Sequence, residues 1–97
     1  MKIIKSIEEI SNELTIVDFF ANWCGPCKML GPVLEELAEE GQVEVVKVDC
    51  DESLDLAREY KVSSIPALFL MKDKKVLDSK VGYMDLEELQ EWVKEYK

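Results

Sequence analysis

The hydrophobic and polar positions of the chain follow two different periods. The stretch "LTIVDFF" at 14–20 is nearly continuous in apolar and β-branched residues, which is typical of a strand buried on both faces. A group of apolar residues with the three- and four-residue spacing of a helix follows it: Leu30, Val33, Leu34, Leu37 and Ala38. The pattern therefore predicts a buried strand that leads into a long helix.

Similar stretches along the rest of the chain predict further strands and helices. The predicted strands are "KII" at 2–4, "VEVVKVD" at 43–49, "ALFLM" at 67–71 and "KVLDSKV" at 75–81, the last two joined by the charged turn "KDK" as a hairpin. The predicted helices are short ones at 6–12 and 53–60 and a final helix after residue 85. This β-α-β-α-β-α-β-β-α order indicates an α/β fold, with a central mixed β-sheet flanked by helices on both faces.

Capping signals mark several helix ends. Ser6 and Glu9 have the spacing of a capping box, Asp85 and Glu88 form an acidic variant of it, and Gly41 ends the long helix. The faces that we expect to be buried are Leu54, Ala57 and Tyr60 on the helix at 53–60, and Leu86, Leu89, Val93 and Tyr96 on the final helix.

Length indicates the number of domains, and net charge indicates which kinds of partner the chain can bind. The 97 residues fit one domain, residues 1–97, with a single core. The net charge of −9 comes from 21 acidic and 12 basic side chains, and it repels phosphate backbones and anionic lipids. We therefore expect no nucleic-acid partner and no membrane partner.

The amino-terminal segment lacks the apolar core of a signal peptide, because Lys5, Glu8 and Glu9 interrupt it. No apolar run approaches the roughly 20 residues of a membrane span. We therefore expect the chain to work in the reducing cytoplasm, where permanent disulfides are rare.

Residues 23 to 27 read "WCGPC", and such a cysteine pair has three possible uses. As a structural staple it would contribute only roughly 2 kcal/mol, because it closes a very small loop. As a metal site it lacks ligands: the chain has no histidine and only one further cysteine, Cys50, so tetrahedral zinc would need a carboxylate or a second chain. A reversible redox pair needs no residue beyond the two cysteines themselves.

The position of the pair between a strand and a helix suits redox chemistry. Backbone N–H groups and the helix dipole stabilise a thiolate on Cys24, and because Pro26 has no N–H, the amide of Cys27 is the first donor beyond Gly25. We expect Cys27 to be more buried than Cys24 and therefore to need a base. Asp18 is the candidate for this base, because it is the only charge in the buried strand and burial raises a carboxyl pKa toward neutrality.

Lys47 is the only charge among the apolar positions 45–48, and we expect it on the strand next to Asp18 as its partner. Two interpretations of this pair remain equally open at this point. It can serve proton transfer, or it can be a structural ion pair without chemistry.

Four stretches give the chain a resemblance to the thioredoxin family from about Ile3 to its end: "IVDFFANWCGPCKMLGPVLEELA", "VKVDCDE", "VSSIPALFLMKD" and "KVGYMDLEEL". The resemblance implies a thioredoxin-like three-layer sandwich and a protein-disulfide reductase. It also implies disulfide-containing target proteins, recharging by a thioredoxin reductase, no bound cofactor or metal, and a monomer.

The resemblance also implies roles for individual residues. Cys24 resembles the attacking thiol, Cys27 the resolving thiol, and Asp18 the buried acid that acts on Cys27, with Lys47 as its neighbour. Pro66 resembles the family's cis-proline, and Ile65 before it the residue whose backbone binds an extended substrate. The implied substrate surface consists of Trp23, Gly25, Pro26, Gly82 and Tyr83.

Three features depart from the family pattern. Phe20 stands where many thioredoxins carry a second tryptophan, the first helix is cut to little more than one turn, and Cys50 is an extra cysteine for which we expect no role. Two other functions stay open, a binding module without turnover and a metal cluster held between two chains by Cys24 and Cys27.

Overall fold

A five-stranded sheet forms the centre of the protein, in a computed structural model that describes residues 1–97. The strands are β1 (Lys2–Ile3), β2 (Thr15–Phe20), β3 (Glu44–Asp49), β4 (Ala67–Lys72) and β5 (Lys75–Val81). Their spatial order is β1-β3-β2-β4-β5. Strand β2 pairs in parallel with β3 and antiparallel with β4, so the predicted mixed sheet is confirmed.

Helices cover both faces of this sheet. They are a 3₁₀ turn (Ile7–Glu9), α1 (Gly25–Glu39), α2 (Leu54–Glu59) and α3 (Leu86–Glu95). Helices α1 and α3 pack on one face, and the 3₁₀ turn and α2 share a core with the other. The three-layer α/β sandwich is therefore confirmed, with a first helix of one turn as expected. None of the helices has the length and hydrophobicity needed to span a bilayer.

The capping signals fix the helix ends. Asp85 accepts a hydrogen bond from the N–H of Glu88 at 2.9 Å, and the Glu88 carboxylate accepts one from the N–H of Asp85 at 3.2 Å. The equivalent pair of bonds joins Ser6 and Glu9. Past the end of α1, Gly41 adopts φ +78°, a left-handed conformation that glycine adopts without steric cost. Both predicted capping boxes are confirmed.

Strand β2 positions the functional site because all six of its residues are buried. Alternate residues point to opposite faces. Ile16 joins the core under α1 and α3, while Val17 and Phe19 join the core under α2. Asp18 therefore projects, like Ile16, toward the face that α1 covers.

Two details of the helix faces differ from the expected stripes. Leu54 is 54% exposed, because α2 turns Leu56, Ala57 and the partly buried Tyr60 toward the sheet instead. On α3 the largest buried side chain is that of Trp92, which is 2% exposed. Trp92 is not among the residues predicted to line the buried face of this helix. Of the residues predicted for this face, Leu89 and Val93 belong to the core, and the partly buried Leu86 and Tyr96 pack against it.

Strands β4 and β5 form the predicted hairpin. Strand β4 extends through Lys72, so the connection has only two residues, Asp73 and Lys74. Their φ angles are +53° and +63°, as in the type I′ turn that matches the twist of a hairpin.

Candidate active site

The cysteine pair lies at the junction of β2 and α1. Cys24 is the N-cap of α1, with extended backbone angles of φ −89° and ψ 112°. The N–H of Cys27 donates to the sulfur of Cys24 at 3.2 Å, as the missing N–H of Pro26 predicts. The two residues form a disulfide across Cα atoms 5.3 Å apart, within the ordinary range for such a bond.

Both sulfurs lie in a small apolar cluster with Phe20 and Ala21, against which Ile65 packs. Cys24 is 5% exposed and Cys27 is 4% exposed. The two values differ by only one percentage point in the disulfide form, so the expectation that Cys27 is the more buried of the two stays a prediction for the reduced form. The two cysteines differ instead in backbone position: Cys24 caps the helix and Cys27 lies inside its first turn.

The loop before β4 contacts the disulfide from the other side. The Ile65–Pro66 peptide bond is cis, as the resemblance implied, and the carbonyl oxygen of Ile65 lies 3.9 Å from the sulfur of Cys24. Pro66 is buried, and its carbonyl oxygen accepts a hydrogen bond from the N–H of Gly82 at 2.8 Å. The loop before β4 therefore contacts Cys24, and the segment after β5 is bonded to that loop.

The surface around the disulfide is open and partly aromatic. Trp23 is 71% exposed and Tyr83 is 44% exposed, while Gly25 and Pro26 are exposed at the start of α1. Gly82 has φ +101°, which a residue with a side chain rarely adopts. Trp23, Gly25 and Pro26 flank Cys24 in the chain, Gly82 is bonded to the loop that contacts Cys24, and the exposed Tyr83 follows Gly82.

One rim contact was not predicted. The indole N–H of Trp23 donates to the carboxylate of Asp51 at 2.9 Å, and the N–H of Asp51 donates in turn to the buried carboxylate of Asp49 at 2.9 Å. No sequence pattern connects Trp23 with a residue 28 positions away. The contact orients an otherwise exposed ring, so Asp51 belongs to the site by position.

Asp18 is fully buried on β2, and neither of its carboxylate oxygens hydrogen-bonds to another group of the protein. Burial raises the pKa of this carboxyl to about 7, with the positive charge of Lys47 acting in the opposite direction. An acid with this pKa exchanges its proton near neutral pH, which suits a proton acceptor.

Lys47 lies on β3 directly opposite Asp18 in the parallel register, as predicted. The two side chains nevertheless form no ion pair, so the expected pairing is wrong in that respect. The ammonium lies over the ring of Phe20 instead, 4.1 Å from the ring centroid. The aromatic face offers a cation an alternative to the carboxylate.

The extra cysteine, Cys50, follows β3 and is half-buried. Its N–H donates to the carbonyl oxygen of Phe20 at 2.9 Å. Burial, and then the negative charges of Asp49, Asp51 and Asp18, raise the pKa of its thiol, which keeps it protonated and unreactive. No group of three or more His, Cys, Asp or Glu side chains is arranged to hold a metal ion.

A cysteine pair that forms a disulfide at a helix start, within this three-layer sandwich, is typical of a thiol–disulfide oxidoreductase. Residues 3–95 match the family model described as Thioredoxin. The thioredoxin of Bacillus subtilis (strain 168) is 43% identical over 103 aligned residues, which cover 99% of each chain. The thioredoxin of Chlamydia trachomatis is 52% identical over 84% of this chain and 81% of its own. The chain belongs to the thioredoxin family.

Solved structures give the same fold. A mutant thioredoxin from Halobacterium salinarum NRC-1 superposes with a TM-score of 0.83 at 41% identity, covering 88% of this chain and 75% of its own. The thioredoxin of Malassezia sympodialis gives a TM-score of 0.82 at 31% identity, over 97% and 88% of the two chains. The chain is thus a thiol–disulfide oxidoreductase by family, fold and cysteine pair.

Proposed function

We propose that the chain reduces disulfides of target proteins, with Cys24 as the attacking thiolate and Cys27 as the resolving thiol. The observation that carries this assignment is the hydrogen bond from the N–H of Cys27 to the sulfur of Cys24, at the N-cap of α1. Unpaired N–H groups and the positive end of the helix dipole stabilise negative charge at this position. Cys27, inside the first turn, has no such donor directed at it.

The proposed reaction has two displacement steps. The Cys24 thiolate attacks one sulfur of the substrate disulfide, a mixed disulfide forms, and the other substrate sulfur leaves as a thiolate that takes up a proton. Cys27 then gives up its proton and its thiolate attacks the sulfur of Cys24, which closes the Cys24–Cys27 disulfide. The second substrate sulfur leaves as a thiolate that takes up a proton. Two electrons pass from the protein dithiol to the substrate.

Asp18 is the proposed proton acceptor for Cys27 in the second step. Its carboxyl lies on the sheet face under α1, with no hydrogen-bond partner in the protein, and its pKa of about 7 lets it accept a proton at neutral pH. Lys47 on the neighbouring strand is the proposed nearby positive charge, which limits the cost of ionising Asp18. The structural ion pair that competed with this role has no support, since no such pair forms.

The proposed substrate surface surrounds Cys24. An extended target segment would bind the free backbone groups of Ile65, next to Pro66. The proposed surface for the target consists of the half-buried Gly82 and four exposed residues, Trp23, Gly25, Pro26 and Tyr83. The large exposed fractions of Trp23 (71%) and Tyr83 (44%) support this role, because exposed aromatic rings are common at binding surfaces.

We further propose that a thioredoxin reductase recharges the disulfide, and that residues 1–97 act as one monomeric domain in the reducing cytoplasm without a bound cofactor. The net charge of −9 supports protein partners over nucleic acids or anionic membranes.

Turnover of insulin disulfides in the presence of NADPH and a thioredoxin reductase tests this proposal. We expect Cys24→Ser and Cys27→Ser each to abolish turnover, because each removes one half of the electron-carrying pair. The matched control is Cys50→Ser, which removes a thiol outside the pair and should leave the rate unchanged. Sustained turnover by Cys24→Ser would contradict the proposal.

The same assay tests the role of Asp18. General bases contribute on the order of 100-fold or more to a proton-transfer step, and water can replace part of that effect. We therefore expect Asp18→Asn to slow turnover by roughly tenfold at pH 7, with the reductase in excess. An unchanged rate would remove Asp18 from the mechanism and leave the two cysteine roles intact.

A further inference from the structure

The ammonium of Lys47 forms no ion pair with the carboxylate of Asp18 on the neighbouring strand. Its Cα is the register partner of Asp18, and adjacent residues of paired strands project to the same face of a sheet. Yet both oxygens of Asp18 are unpartnered, while the ammonium lies 4.1 Å from the centroid of the Phe20 ring. Phe20 is two residues beyond Asp18 on β2, so the lysine extends along the strands to the next residue on that face.

The ring of Phe20 lies where it can compete with the carboxylate of Asp18 for the ammonium of Lys47. Phe20 is 6% exposed and packs in the cluster with the cysteine pair. A cation over a ring face is attracted by the ring quadrupole, most strongly where water is excluded. Lys47 is half-buried, so its ammonium exchanges part of its hydration for the ring face.

We propose that Phe20 is a positioning residue that holds the ammonium of Lys47 away from Asp18, so that the buried carboxyl stays available to accept a proton. This inference rests on the proposed role of Asp18. A direct ion pair would stabilise the carboxylate, since an opposite charge within about 4–6 Å lowers a carboxyl pKa by about one to three units. A carboxylate held in that way is a weaker base at neutral pH.

The other titratable groups near this pair are few. Asp49 follows Lys47 on the same face of β3, and its carboxylate accepts the N–H groups of Asp51 and Glu52. Cys24 and Cys27 of α1 pack against Phe20, and Cys50 interacts electrostatically with Asp18. Strand β4 places only the apolar Leu68 opposite Asp18.

A titration of the Asp18 carboxyl by carbon-13 NMR tests the proposal on the oxidised protein. The disulfide removes Cys24 and Cys27 from the titration, and the spectrum of Asp18→Asn identifies the Asp18 signal. In Phe20→Leu, which keeps an apolar side chain and removes the ring face, the ammonium is free to approach Asp18. We expect the Asp18 pKa to fall by about one unit.

Two further variants separate the ring's effect on the ammonium from a general effect on packing. Phe20→Trp retains an aromatic face and should leave the Asp18 pKa close to that of the wild type. In a Lys47→Met background there is no ammonium to position, so adding Phe20→Leu should leave the Asp18 pKa unchanged.

Each result decides the proposal. A pKa that is unchanged or raised in Phe20→Leu, as when the ammonium moves to Asp49 or to solvent, would overturn it. So would an equal fall in the Lys47→Met background, since that would identify packing as the cause. The titration does not depend on catalysis, so a failure of Asp18 in the turnover assay is a separate outcome.

Discussion

At the scale of single residues, Asp18 is the position where stability and the proposed chemistry conflict. A buried carboxylate without hydrogen bonds is costly, and only its protonated form is well accommodated. Because the pKa of Asp18 is raised to about 7, the carboxyl stays mostly protonated below that pH and the cost of the buried charge is avoided there. The cost that remains above that pH is the consequence of burying this carboxyl under α1 without a hydrogen-bond partner.

Replacing Asp18 by asparagine should therefore stabilise the fold in a pH-dependent way. Below about pH 4 the carboxyl is protonated in both the folded and unfolded chains, and the variant should gain little. Between about pH 4 and the folded pKa of about 7, the unfolded carboxyl ionises first and wild-type stability falls. Above pH 7 the gain should reach about 1–4 kcal/mol. Urea unfolding of the oxidised proteins at pH 4 and pH 8 measures it.

Asp49 provides the matched control for this prediction. It is also buried, at 5% exposure, but its carboxylate accepts the N–H of Asp51 at 2.9 Å. A satisfied carboxylate gains nothing from neutralisation, so Asp49→Asn should not be stabilising at pH 8. Equal unfolding free energies of wild type and Asp18→Asn at pH 8 would show that Asp18 carries no uncompensated charge.

At the scale of elements, Asp78 attaches α3 to the sheet. From β5 its carboxylate accepts the indole N–H of Trp92 at 2.8 Å and the hydroxyl of Tyr96 at 3.0 Å. The bond from Trp92, with help from the N–H of Ser79, lowers the pKa of Asp78. One carboxylate thus satisfies the polar atom of the largest buried side chain on the helix.

Removing this carboxylate should loosen the attachment of α3. Asp78→Ala leaves the indole N–H of Trp92, a residue only 2% exposed, without its acceptor. We expect the free energy of unfolding to fall by about 1–3 kcal/mol at pH 7. Because the folded pKa of Asp78 is lowered, the difference should shrink as the pH falls below about 4. Urea unfolding at pH 7 and pH 3 measures both effects.

Glu91 on the same helix is the control, because it is exposed and an exposed residue without such contacts changes stability little. Glu91→Ala should shift the free energy of unfolding by less than about 0.5 kcal/mol. If Asp78→Ala were as mild as Glu91→Ala, water would be replacing the carboxylate and the attachment would lie in apolar packing alone.

The elements themselves were largely predictable from local patterns. Strand β2 was identified by its unbroken apolar run, and both capping boxes by a three-residue spacing. Trp92 was missed, although Leu89, Trp92, Val93 and Tyr96 have the i, i+3, i+4, i+7 spacing of one helical face. No local signal pointed to Asp78, because its partners lie 14 and 18 positions away.

The site was predictable only where local helix geometry determines it. The redox pair and its first hydrogen bond follow from a helix start and from the missing N–H of Pro26. The cis peptide bond before Pro66 was implied only by the family resemblance. The position of the Lys47 ammonium over Phe20 depends on competing long-range contacts, which no spacing encodes, and the similar burial of the two sulfurs depends on their bond.

At the scale of the whole molecule, the topology gives the two thiols different surroundings. Cys24 lies between the end of β2 and the start of α1, and its sulfur lies 3.9 Å from the carbonyl oxygen of Ile65 in the loop before β4. A substrate that binds along this loop would therefore present its disulfide to Cys24 first. Cys27 lies inside the first turn of α1, in a position suited to attack Cys24 afterwards.

This asymmetry predicts which variant captures target proteins. Cys27→Ser should leave the first attack intact and block the second, because a hydroxyl does not displace a mixed disulfide. Targets should then accumulate on Cys24 as large species on non-reducing gels, and dithiothreitol should release them. Cys24→Ser should capture almost nothing, since the remaining thiol of Cys27 lies inside the first turn of α1 and lacks the N-cap position.

Cys50→Ser is the control for this capture experiment, because it alters a half-buried thiol outside the pair. Combined with Cys27→Ser, it should leave the pattern of adducts unchanged, which shows that the captured targets are on Cys24. A module that only binds partners would give no thiol-dependent adducts with any variant. If Cys24→Ser captured targets as well as Cys27→Ser does, the attacking and resolving roles would be wrongly assigned, while the oxidoreductase activity, which requires only the pair, would stand.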